Sequence, residues 1–208
     1  AERLPATILI SGLAMLFAYG VAIPIGIYSA THQYSLEDYA LTVVGFVGLA
    51  VPAFLLCLIV MYLAFRYLGL TVGGLVSVEY LGKPLSWGML LDGLGHLWIP
   101  VVVVAASGTA SLIRVMRGCL LDELHKQYVV TARVKGVDER TLIYRYPVRV
   151  AINPIVSSVA WMLPEIVSGQ TIVSIVLNLP TVGALLYRAL INQDMYLAGS
   201  IVMVLSGL

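Results

Sequence analysis

The sequence predicts an all-α, polytopic transmembrane helical bundle, and three observations carry that expectation. Sixty per cent of the 208 residues are hydrophobic and 11 per cent charged, where an ordinary soluble domain has roughly a quarter charged. Mean hydropathy is +0.96, too apolar for a surface that must face water. Charge-free intervals also recur at lengths that cross a bilayer. Length alone would allow one or two soluble domains, but no polar stretch is long enough to wrap one. A barrel is a poor alternative, because no ten-residue apolar/polar alternation appears and open strand edges do not exist in hydrocarbon.

The spans follow from those intervals, since a hydrocarbon core of about 30 Å needs roughly 20 residues at 1.5 Å each. Residues 4–36 carry no charge, and their apolar part, about 4–28, is a first span. A second is expected at about 40–65 and a third at 93–113. A fourth is expected at about 148–177, with Glu165 the ionisable residue beyond its first turn. The last apolar run, 197–208, has 12 residues and is too short to cross, so about five spans are represented with the last incomplete. The chain also begins without Met and without a basic n-region, and it is read as a fragment of one transmembrane domain, 1–208. Glycine and proline inside the spans (Gly20, Pro24, Gly48, Pro52, Gly108, Pro154, Pro164, Gly169) are tolerated where neighbours satisfy the freed carbonyls. Small residues at Ala106/Ala110 and Ser107/Ser111 allow close helix approach.

Orientation is set by Lys and Arg. Eight of the twelve lie between Arg114 and Arg149, and loops with such an excess stay cytoplasmic. Residues 114–147 and, by alternation, 29–39 are therefore expected inside, and 66–97 and 178–196 outside. The outer loops hold Arg66, Lys83 and Arg188, and Tyr67, Tyr80, Trp87 and Trp98 supply an aromatic interface belt. Cys57 and Cys119 read as small, reduced, packed side chains. His32, His96 and His125 lack metal-ligand spacing, and no metal site is expected.

The informative segment is 120–147. Leu121, Leu124, Tyr128 and Ala132 fall on one helical face, Gly136 would end that helix in a left-handed turn, and Asp138 would cap a second short helix carrying Leu142, Ile143 and Tyr146. By the residues alone this unit is an amphipathic helix on membrane lipid, a plain connector, or a docking element for a cytoplasmic partner.

The stretch YVVTARVKGVDERTLIYRYPVRVAINPIV, residues 128–156, resembles the cytoplasmic signature loop of ABC importer permeases, more narrowly of their oligopeptide/dipeptide branch. Thr131, Ala132, Arg133, Lys135 and Gly136 match its Thr-Ala-Arg-Ala-Lys-Gly core, with Val134 in place of Ala. Arg149, Asn153 and Pro154 match the continuation, while Tyr146–Pro147 stands where His-Ala is common. Residues 177–202 resemble the branch's outer loop and last span at Pro180, Gly183, Ala189 and Asp194, with Thr181 replacing Gly and Ser174 a common Glu. A family member would have one more span before Leu4 and a completed one after Leu208.

That resemblance implies a permease that moves peptides or a related small solute and hydrolyses nothing. In agreement, the chain has no G-x-x-x-x-G-K-[ST] phosphate loop and no H-E-x-x-H or G-x-S-x-G, so no catalytic residues are expected. It further implies cytoplasmic ATPase subunits that bind ATP and Mg, a second permease subunit, an extracytoplasmic substrate-binding protein, and a location in a prokaryotic inner membrane. No nucleic acid is expected. Residues 120–136 would dock in an ATPase groove, with Thr131, Ala132, Arg133, Lys135 and Gly136 at the contact. Ionisable groups inside a span are functional candidates, and Ser158, Trp161, Glu165 and Ser168 share one helical face that could line the translocation path. A secondary transporter or channel is the alternative, but it would want several intramembrane ionisable groups where Glu165 stands alone.

Overall fold

Every regular element in the computed structural model, which describes residues 3–69, 74 and 86–207, is an α-helix. That is how an apolar chain satisfies its own backbone donors and acceptors. Tyr80 and Lys83 of the expected outer loop lie outside the described residues. The order is α1 (Leu4–Thr31), α2 (Leu36–Ala50), α3 (Ala53–Leu68), α4 (Trp87–Leu124), α5 (Gln127–Val134), α6 (Glu139–Arg145), α7 (Pro147–Ser157), α8 (Val159–Val176), α9 (Val182–Ile191) and α10 (Met195–Ser206). Three described helices, α1, α4 and α8, are each long and apolar enough to span, and α2 and α3 meet those terms only together, as a bent pair. α10, at 12 residues, is shorter than a span.

α1 buries a stripe of small residues, and several helices expose large apolar side chains. Ala14, Ala18 and Ala22 are fully buried along one stripe of α1, while Leu9, Leu16 and Phe17 point out. α2 and α3 likewise expose Val43, Val44, Phe46, Phe54, Leu58 and Ile59. Small inward residues let backbones approach, and lipid accepts the outward ones. This is a multi-pass membrane protein.

Two expected spans are broken. The run 40–65 divides at Val51–Pro52, because proline lacks an N–H and pushes the residue before it to extended backbone; Val51 has φ −81°, ψ 122°. The run 148–177 divides at Ser158, whose hydroxyl donates back to the Ile155 carbonyl at 2.6 Å, a bond of the kind that bends helices. The third span is longer than 93–113 at both ends, and its C-terminal end continues about three turns past the apolar run, carrying Arg114, Arg117 and Glu123.

The chain forms two compact units. One comprises Ala1–Met15, Pro52–Ala105 and Pro164–Leu208. Within it, Thr7 Oγ1 accepts the Val182 N–H at 2.9 Å, and Gly183 lies so close to Thr171 that a Cβ would collide with that side chain. Thr181 caps α9 and Asp194 caps α10, at 3.4 and 3.0 Å, which gives three of the positions in the last family-like stretch a local structural reason. Tyr67, Trp87 and Trp98 of the expected aromatic belt are exposed here.

The other unit comprises Leu16–Val51 and Ala106–Leu163 and holds both segments expected inside. Here the small-residue run of α4 meets α2, since a Cβ on Gly48 would lie 3.6 Å from Ala110 and 3.7 Å from the Ala106 carbonyl. Gly26 of α1 is tighter still, with a Cβ 2.7 Å from that of Met116. Cys57 and Cys119 are free thiols.

Candidate functional site

The basic loop is a corner of two short helices with a hydrophobic core of its own. The expected continuous helix 120–136 is interrupted at His125–Lys126, so Leu121 and Leu124 belong to the end of α4 and α5 begins anew at Gln127. Tyr128 bridges the interruption by donating its phenol proton to Glu123 at 2.5 Å. Burial, with Glu123 as acceptor, pushes that phenol up to about 12, so it keeps the proton it donates.

α5 ends in a left-handed cap. Gly136 has φ +79°, its N–H bonds the Arg133 carbonyl at 3.0 Å, and the Val137 N–H bonds the Ala132 carbonyl at 3.3 Å. This is the paired 5→2 and 6→1 pattern of a Schellman motif, with its usual apolar contact between the residues flanking it. Val137 and Ile143 close over a cluster of Val129, Ala132 and Leu142. Asp138 caps α6 by accepting the Thr141 N–H at 3.2 Å, a contact generally worth about 1 kcal/mol. Across the turn, Arg133 makes a two-point contact with Glu139, Nε to Oε2 at 3.0 Å and Nη2 to Oε1 at 2.6 Å.

These positions sort the expected docking residues. Ala132 is buried in the corner's own core and Arg133 is engaged by Glu139, so both shape the element. Thr131, Lys135 and Gly136 are exposed. Beside them stand two residues that the sequence reading missed, Val130 and Val134, one turn apart and 43 and 83 per cent exposed. A valine that exposed on a basic loop is a signal by itself. It was hidden because the face was phased through Leu121 and Leu124, and the break at His125–Lys126 resets the phase.

The expected path stripe is divided. Trp161, Glu165 and Ser168 are exposed on one face of α8. Ser158 is not part of that face: it is 6 per cent exposed at the break before α8, with its proton given to Ile155 and its oxygen taking the Tyr19 hydroxyl proton at 2.8 Å. Its partner Tyr19 comes from α1, a neighbour that a helical wheel does not show. Among the described residues no group of three or more His, Cys, Asp or Glu is placed to hold a metal ion.

The family described as binding-protein-dependent transport system inner membrane component matches residues 22–208, α5–α6 included. The chain belongs to that family. It is 32 per cent identical over 192 residues to the oligopeptide transport system permease protein AppB of Bacillus subtilis, covering 92 per cent of this chain and 59 per cent of that one. To the inner membrane ABC transporter permease protein YejB of Escherichia coli O157:H7 it is 32 per cent identical, over 93 per cent of this chain and 54 per cent of that one. The oligopeptide transport system permease protein OppB of Salmonella typhimurium is 28 per cent identical, with 100 and 64 per cent covered. The chain therefore spans about six-tenths of the length of these curated relatives.

Proposed function

We propose that this chain is part of the membrane-spanning permease of an ATP-driven importer in a prokaryotic inner membrane. The solute would be a peptide or a related small molecule handed over by an extracytoplasmic binding protein. A second permease subunit would complete the pathway, and separate cytoplasmic ATPase subunits would bind ATP and Mg. The observation that carries the reading is the α5–α6 corner. Its core and turn hold it in one shape without help from lipid, and it presents Val130, Thr131, Val134 and Lys135 outward, an apolar knob with a basic edge suited to a groove on a soluble partner. The family match and the peptide permeases among the relatives support the same assignment. Trp161, Glu165 and Ser168 of α8 are the candidates for the translocation path.

The test is Gly136→Val in the full-length permease, reconstituted with its ATPase and binding protein. A β-branched residue at φ +79° is a strained outlier, so the turn opens and the knob is misaimed. The permease is expected to insert and fold, with stimulation of ATP hydrolysis by loaded binding protein lost. A corner that merely rests on lipid tolerates a bent end, and full stimulation in the variant would sink the docking role.

A further inference from the structure

Among the described residues Asp38 is the one buried acidic side chain, with Arg117 of α4 against it. Its two oxygens take four donors. Arg117 Nε reaches Oδ1 at 3.0 Å and Arg117 Nη2 reaches Oδ2 at 2.9 Å. The Ser29 hydroxyl donates to Oδ1 and the Tyr34 N–H to Oδ2 at 3.1 Å. The backbone of Asp38 is fixed as well, its N–H held at 3.1 Å by Ser35, the N-cap of α2. One carboxylate thus ties the last turn of α1, the α1–α2 turn, the start of α2 and α4. Gly26 against Met116 brings α1 and α4 together one residue from Arg117. Nothing at this level is free to slide.

Arg117 stands seven residues before Leu124, two helical turns and roughly 10 Å from where α4 hands over to α5. That handover is clamped by Tyr128 and Glu123. On the other side of the corner, α6 faces the end of α1 across an open cleft of about 760 Å³ with Tyr28, His32 and Leu41 on one wall and Arg140, Ile143 and Tyr144 on the other. An open cleft transmits little, and a close-packed charged contact transmits displacement.

We propose that the Asp38–Arg117 pair is the joint through which movement of the α5–α6 corner passes from α4 to the α1–α2 turn, Asp38 and Arg117 being positioning residues for coupling. This rests on the coupling reading of the corner. It requires the corner and the α1–α2 turn to move as one body when the ATPase closes.

Spin labels at Leu36→Cys and Arg140→Cys, both exposed, read that directly in the full-length complex, with ATP–vanadate trapping as the probe. The distance between labels is expected to be the same in the nucleotide-free and trapped states. Asp38→Asn leaves the two Arg117 donors facing a single amide oxygen and an NH₂ group. In that background trapping should change or broaden the distance by roughly 5 Å, about one helical turn, while ATPase assembly and basal hydrolysis persist. Asp38→Glu, which keeps the carboxylate, should restore the constant distance. A charge swap is a poorer rescue, because Ser29 and Tyr34 would then donate toward a cation. A distance that shifts on trapping in the otherwise unaltered protein overturns the proposal, as does one that stays constant with Asp38→Asn. Should Asp38→Asn fail to assemble, Arg117→Lys, which keeps the charge with one contact instead of two, decides by the same readout. Gly136→Val is run in parallel. If it keeps full stimulation the coupling reading has failed; if it uncouples while Asp38→Asn holds the distance constant, the joint alone has failed.

Discussion

The Arg117–Asp38 and Arg133–Glu139 pairs share one geometry, two parallel N–H···O contacts from a guanidinium to a carboxylate. Their surroundings differ. The side chains are 28 and 3 per cent exposed in the first pair and 49 and 54 per cent in the second. Burial makes a two-point pair an obligation, since Asp38 left alone is a charge without water. Exposure makes it an orientation device, because water takes over when the contact opens. The chain uses the first where α1, α2 and α4 must stay registered, and the second across a turn whose shape is already set by Gly136 and by the Val129–Ala132–Leu142 cluster.

The sharpest way to break that comparison is to remove one arginine from each pair. Arg117→Leu leaves the Asp38 carboxylate with Ser29 and Tyr34 but no countercharge. Removing one partner of a buried pair generally costs about 3–5 kcal/mol, so loss of folded protein in detergent is expected. The double variant Asp38→Leu/Arg117→Leu should recover much of it, because replacing both members of a buried pair by apolar groups is often close to neutral. Arg133→Leu should leave the thermal midpoint where it was. Equal losses from the two single variants would remove the distinction.

The corner's stability then has to come from its core. Leu142 is fully buried, and Leu→Ala at such sites generally costs about 2–5 kcal/mol. In an element this small the loss is local. Hydrogen exchange should accelerate across α5 and α6 and stay slow in the buried stretches of α1 and α4. Uniform acceleration would show that the corner has no independent core.

A third carboxylate sharpens the contrast. Glu165 is exposed on α8 beside Trp161 and Ser168, so Glu165→Leu should leave stability within about 0.5 kcal/mol. If the face lines the path, peptide uptake falls several-fold with ATPase assembly intact. Unchanged uptake assigns Glu165 to an interface instead.

What the sequence disclosed divides along the same line between local and distant. Charge-free intervals found the apolar runs, since a span needs only its own composition. Gly136 and Asp138 were legible because a left-handed cap and an N-cap are decided within a few residues. Pro52 was passed over as a tolerated interruption, and it divides a helix. The break at His125–Lys126 hid Val130 and Val134: a helical wheel is a statement about phase, and one extended residue, Lys126 at φ −72°, ψ 148°, resets it. Asp38 and Arg117 are 79 positions apart, and no period or motif joins them. Their pairing is a property of three packed helices.

The smallest effect concerns pH. The Arg133 guanidinium hydrogen-bonded to Glu139 holds that carboxyl below the ordinary value of 4.5. A depressed carboxylate contributes stability above its unfolded value and loses it as pH falls through the folded one. The pair is therefore complete at neutral pH and opens only on the acid side of 4.5. Amide exchange at the first turn of α6, corrected for its intrinsic rate, should be flat from about pH 8 to 5.5 and rise below about 4.5. Glu139→Gln should remove the rise. It should leave the corner folded, because the Gly136 turn, the Asp138 cap and the Leu142 core do not titrate with Glu139. If the variant instead loses the corner at neutral pH, the exposed pair is holding the turn that packing was assigned, and the contrast between the two arginines collapses from the other side.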